Sequence, residues 1–143
     1  MKQYIETTSI SHELALHIVD VAIEQGARLG VPVAVTVVDP AMALVAYARA
    51  DGMTPHSSET SRRKAQTAAS TRRPSGWMQG DFALMLPLGS GNRLTNINGG
   101  VPLRFDGRLI GGLGIAGGTP DQDADIALAT LQAVGADTLT PVP

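Results

Sequence analysis

Between residues 109 and 118 the chain reads Leu109-Ile-Gly-Gly-Leu-Gly-Ile-Ala-Gly-Gly118, a strand-like run in which five of ten residues are glycine. Glycine weakens a strand, and it is placed in one where another backbone or a ligand comes close. One surface of this strand is therefore nearly bare, and a helix or a bound molecule is expected to sit directly on it. Just before it, Asp106-Gly107 is a strong two-residue turn signal that pairs the run with Val101 to Phe105 as a hairpin. Gly112, Gly114 and Gly117 also spell GxGxxG. A dinucleotide site needs that formula at a tight turn from strand directly into helix, inside a βαβ unit. Here the glycines lie within and at the end of a hairpin strand, so the match is accidental.

The remaining segments supply what packs on that hairpin. Ser11 is a helix N-cap, and Leu14, Ile18, Val21, Ala22, Gln25 and Leu29 form one stripe until Gly30 ends it. Val31 to Val38 is almost continuously apolar and β-branched, as in a strand buried on both faces. Asp39-Pro40 breaks it, and Met42 to Arg49 is a second strand, antiparallel to the first. Ser57 or Ser58 caps a helix through Arg62, Lys64, Ala65 and Ala69 that Pro74 stops. Ser75 to Leu86 reads as a short helix with Trp77, Met78 and Phe82 as its apolar contacts, and Leu88 to Asn98 as a loop or edge strand. Thr119, Pro120 and Gln122 supply the N-cap, the first helical position and the third residue of a capping box, opening a helix to about Val134. The tail beyond Gly135, with Pro141 and Pro143, lacks pattern and is expected to fray. This order is that of an α+β domain with an antiparallel sheet.

Composition narrows the function. A length of 143 residues fits one domain, residues 1–143. Aromatic residues are 3% of the chain against 43% hydrophobic, so the core is Ala, Val, Leu and Ile. The absence of cysteine excludes disulfides, thiolate metal sites, iron–sulfur clusters and a Cys nucleophile. A net charge of −2 and scattered aromatics offer nucleic acid neither a basic surface nor a stacking platform. No apolar run approaches the roughly 20 residues of a membrane-spanning helix. Met1 to Ser11 lacks the apolar centre of a secretory signal, so a soluble cytoplasmic protein is expected.

Few residues carry chemistry. His12 and His17 are five apart on the first helix and cannot chelate one ion from one face, and no His pair has zincin spacing, so no metal site is expected. Asp121, Asp123, Asp125 and Asp137 read as a solvated acidic face. The first three satisfy the dipole of the helix they open, which favours capping over anion binding. His17 lies beside the apolar stripe, next to Leu14, Ile18 and Val21. An imidazole there is either half-buried against a backbone carbonyl or what an axial haem ligand looks like. The densest polar cluster is Arg49, Asp51, His56, Ser57, Arg62, Arg63 and Lys64. Lys64 lies on the apolar side of its helix, and an inward cation needs a partner, either Asp51 or an acidic ligand. A strand-to-helix salt bridge and a carboxylate-binding role both stay open.

An ordered set of segments resembles a known family. Val33 to Asp39, Arg49-Ala-Asp-Gly52, Ser61-Arg-Arg-Lys-Ala-Gln-Thr-Ala68, Gly99-Gly-Val-Pro102, the glycine-rich strand and Asp121-Gln-Asp123 are similar to the GlcG/HbpS family. That family is also called the haem-degrading domain or DUF336 family, and it includes the C-terminal domain of PduO-type proteins. The resemblance implies an antiparallel sheet of about five strands with helices on both faces. It also implies homodimers that assemble further, up to octamers. It implies haem as a cofactor, with His17 first and His12 second as the iron ligand. The Glu-x-x-Glu pattern of some secreted members is absent. The shared residues Arg49, Asp51, Lys64, Thr67, Gly99, Gly100 and Pro102 are not haem ligand types. They suggest instead a catabolic enzyme (isomerase, tautomerase or hydrolase) acting on a small carboxylate or carbonyl compound. In that reading Arg49 or Lys64 holds the carboxylate, the Gly99-Gly100 amides face an oxyanion, and His56 is the candidate base.

Overall fold

Two antiparallel hairpins lie side by side, and the second strand of one pairs with the first strand of the other. A computed structural model describes residues 1–137. In chain order the elements are α1 (His12–Arg28), β1 (Ala34–Val38), β2 (Leu44–Arg49), α2 (Ser57–Thr71), α3 (Phe82–Gly89), β3 (Gly100–Phe105), β4 (Arg108–Ala116) and α4 (Pro120–Val134). The sheet order is β2-β1-β4-β3 with every neighbouring pair antiparallel. The α+β class is as expected, with helices on both faces. The expected five strands are four: residues 90–98 form no strand, and Thr95 and Asn96 bond to helix and loop instead of to a sheet edge.

Strand alternation assigns each face. Val35 and Val37 of β1, Leu113 and Ile115 of β4, and Val101 and Leu103 of β3 point into the main core, where α1 and α4 pack against each other. Ile18, Ile126 and Leu131 complete it, all at most 1% exposed. Full burial of a side chain of this size is worth about 1.5–3 kcal/mol. The opposite face carries Gly112 and Gly114, with Thr36 opposite Gly114 in register, and α2 lies on it. Being buried on both faces, β1 has no alternation of polarity.

Local signals behave as their chemistry dictates. Ser11 Oγ accepts from Leu14 N, and Thr119 and Gln122 close the capping box of α4. Asp106 and Gly107 both have positive φ, 53° and 75°, as a tight primed hairpin turn demands. The first helix of the 75–98 region is misplaced by sequence. Ser75 to Asp81 form loop and turn, and the helix covers Phe82–Gly89 with Pro87 inside it. Neither Ser57 nor Ser58 caps α2. His56 holds the N-cap position without a side-chain hydrogen bond, and Ser57 Oγ pairs with Thr54 Oγ1 at 2.6 Å. Residues 136 and 137 are not frayed: Ala136 is buried, and Asp137 accepts from the amides of Asp106 and Gly107, clamping the β3–β4 turn. Pro141 and Pro143 lie outside the described residues. Among those described, no helix is long and apolar enough to cross a membrane.

The bare strand is covered by α2 of the same chain. A Cβ on Gly114 would strike the Ser61 carbonyl and come within 2.6 Å of Ala65 N, and one on Gly112 would lie 2.9 Å from Ala69 Cβ. Both obstacles are helix, which cannot shift without lifting α2 off the sheet. Gly114→Ala is therefore expected to lower the unfolding free energy by about 1–3 kcal/mol, read by urea denaturation. Gly89→Ala, with nothing within 4 Å of the new methyl, should be neutral.

Candidate functional site

The close seat of α2 brings a cation into the interior. Lys64 is 1% exposed, and its Nζ donates to Asp123 Oδ2 at 2.8 Å and to the Ile115 carbonyl at 2.8 Å. Asp123, in the first turn of α4, is 2% exposed and accepts a second hydrogen bond from Gly118 N at 2.9 Å. Burial pushes the Lys64 pKa below its ordinary value, and the hydrogen bond and charge of Asp123 oppose that shift. The cation's partner is thus neither Asp51 nor a ligand. Asp123 likewise departs from the solvated face expected of it, whereas Asp121 and Asp125 are exposed. The signal for this was present in the sequence. Asp123, Ile126, Ala127, Thr130 and Leu131 follow the i, i+3, i+4, i+7, i+8 pattern of a buried helix stripe.

The Gly99-Gly100 pair serves the same clasp. Gly99 has φ 126°, and a Cβ there would lie 2.8 Å from Lys64 Nζ and 2.9 Å from Asp123 Cβ. A Cβ on Gly100 would meet the Lys64 carbonyl. The Gly100 amide, expected to face an oxyanion, donates to Ser75 Oγ at 2.8 Å and is not free for a ligand. Pro102 is buried within β3, and Thr67 Oγ1 accepts from Thr95 N.

The polar cluster read from sequence is divided in space. A cleft of about 160 Å³ opens beside the ion pair, with His56, Ser57, Thr60, Lys64, Gly118 and Asp123 in its wall. Arg49 and Asp51 line a different cleft of about 220 Å³ with Gly52 and Met53. Gly99 and Gly100 border a third, of about 130 Å³, with Ser75 and Leu128. The composite carboxylate pocket of Arg49, Lys64 and the Gly99-Gly100 amides is therefore not assembled within one chain. Arg62 and Arg63 pair with Glu59 on the exposed side of α2.

His12 and His17 both stand exposed on α1. Neither imidazole has a hydrogen-bond partner among the described residues. His17 is exposed instead of half-buried, with Leu14 and Val21 one turn away on one side and Glu13 and Asp20 on the other. His12 shares its flank with Leu16, four residues on and 54% exposed.

Residues 10–132 match the family described as haem degrading protein HbpS-like. The chain belongs to this family. It is 35% identical over 142 residues to the corrinoid adenosyltransferase PduO of Salmonella typhimurium, a match covering 93% of this chain and 42% of that protein. The chain thus spans less than half the length of that relative. Among solved structures, the PduOC:heme complex is 32% identical with a TM-score of 0.83, covering 93% of this chain and 100% of that one. A double mutant of Streptomyces reticuli HbpS is 28% identical with a TM-score of 0.81, covering 91% and 90%.

Breaking a buried pair leaves one charge without compensation, at a cost of about 3–5 kcal/mol. Lys64→Met and Asp123→Leu should each destabilise this HbpS-like chain by about that much, and the double variant by clearly less than their sum. Chemical denaturation of the four proteins of the cycle measures the coupling, and additive losses would refute the clasp.

Proposed function

We propose that this HbpS-like protein binds haem, with an α1 imidazole as the iron ligand and a second copy of the chain covering the ring. One observation carries the reading: the likeness to the PduOC:heme complex extends over nearly the whole of both chains. The donor chemistry fits. His17 and His12 are exposed and unbonded, so either nitrogen is free to ligate without breaking an existing contact. Bound haem would supply an iron centre whose ligation and potential follow from the axial residue and the polarity around it.

Four clefts among the described residues, the one beside the ion pair included, measure about 130 to 250 Å³, below the roughly 300–1,000 Å³ of a pocket for even a drug-sized ligand. A porphyrin held by an exposed α1 imidazole lies on the surface, against Leu16 and the apolar flank of α1, and its other face needs cover from elsewhere. Self-association supplies that cover. All of α3 is unburied, and Leu84, Met85 and Leu88 are 64–70% exposed, an apolar surface suited to a homodimer or larger assembly.

Titrating haem into the apoprotein should give a saturable Soret shift that His17→Ala abolishes or moves, with His12→Ala having the smaller effect. An unshifted Soret band, or one that survives the double His variant unchanged, overturns the reading. Leu84→Glu with Leu88→Glu should lower the mass measured by light scattering, and an unchanged mass would clear α3 of any part in assembly.

A further inference from the structure

The cleft beside the ion pair is too small for a porphyrin and is lined by none of the α1 histidines. Its wall is nevertheless built for a ligand. An ammonium carries three protons, and two of those on Lys64 are taken by Asp123 and the Ile115 carbonyl. The third has no acceptor among the described residues, on a side chain 1% exposed that borders the cleft. A buried donor of this kind gains from an oxygen acceptor.

The hydroxyl groups of the same wall offer acceptors. Thr60, which lines the cleft, gives its Oγ1 proton to the His56 carbonyl at 3.2 Å, so toward a ligand this hydroxyl can only accept. Ser57 and Thr54 bond to each other at 2.6 Å, which takes one of their two protons and leaves each oxygen a lone pair that can accept. Lys64 and Asp123 cancel in charge, and Asp121 stands exposed close by in the first turn of α4. The two aspartates beside the single lysine disfavour a dianion. At about 30 Å³ for each water in the liquid, 160 Å³ corresponds to about five waters.

We infer that this cleft binds a small hydroxycarbonyl compound of about five or six non-hydrogen atoms. Its carbonyl oxygen accepts the third Lys64 proton, and its hydroxyl groups donate to Thr60 and Ser57. Ile97, Ala116 and Pro120 give the carbon skeleton an apolar wall. Lys64 thereby has two uses, since the geometry that clamps α2 to α4 also presents one fixed donor to the cleft.

Amide NMR of the full chain tests this with dihydroxyacetone, its isostere pentan-3-one, which keeps the carbonyl and replaces both hydroxyls by methyls, and malonate. Dihydroxyacetone should cause saturable shifts at Ser57, Thr60 and Gly118. Pentan-3-one should bind about ten-fold more weakly, as expected for lost hydrogen bonds of about 1.4 kcal/mol in total. Malonate should not saturate. Thr60→Val, which keeps the shape and removes the acceptor, should weaken dihydroxyacetone several-fold. Absence of saturable shifts, equal binding of pentan-3-one, or tighter binding of malonate overturns the assignment. The ligand comparison uses the wild-type chain, so it stands even if Thr60→Val folds poorly.

Discussion

One buried ion pair ties together the two sides of this protein. Lys64 comes from the helix on the glycine face of the sheet and Asp123 from a helix on the other face, and they meet at the end of β4. Neither charge could be buried alone, because the desolvation of a single ion outweighs the packing it gains. Each is satisfied by more than the other: the ammonium also bonds the Ile115 carbonyl, and the carboxylate also accepts from Gly118. The pair thus fixes how the middle of α2 and the first turn of α4 sit on the sheet, and with them the walls of the adjoining cleft.

The glycines follow from that arrangement. Gly112 and Gly114 let the backbone of α2 come down onto β4, and Gly99 and Gly100 leave room for the Lys64 side chain and carbonyl. Thr36 and Ser61 share a 2.8 Å hydrogen bond across the same interface, where larger side chains would hold helix and strand apart. With close backbone contact on this face, apolar bulk is confined to the other, where valine, leucine and isoleucine fill the core between the sheet and α1 and α4. The scarcity of aromatic residues is consistent with both layers.

Much of the fold was legible because it depends on neighbours in sequence. The Asp106-Gly107 turn, the Thr119 capping box, the doubly buried β1 and the helix stripe of α1 each rest on a period or a local hydrogen bond. The loop from Ser75 to Asn98 was not legible, since its contacts are distant. Ser75 bonds the Ile97 carbonyl, and the Asn96 side chain bonds both backbone groups of Met78. At the candidate site, sequence singled out Lys64, Gly99 and Gly100 correctly as unusual but grouped them with Arg49 and Asp51, which line another cleft. Proximity in the chain does not carry across a turn that sends Arg49 and Lys64 to different surfaces.

The class of fold, the hairpin pairing, the family resemblance and the need of Lys64 for a partner were all readable in the order of residues. The fold class, the pairing and the need for a partner follow from periodicity, turn chemistry and the cost of burying a charge, and the family from an ordered set of similar segments, none of which requires knowing where distant segments lie. It took the packed chain to show that the partner is Asp123, that the bare strand is covered by the chain's own helix, and that Leu84, Met85 and Leu88 of α3 stay exposed. Each of these is a meeting, or a failure to meet, between residues far apart in sequence. It is set by the packing of helices on a sheet and not by any local preference.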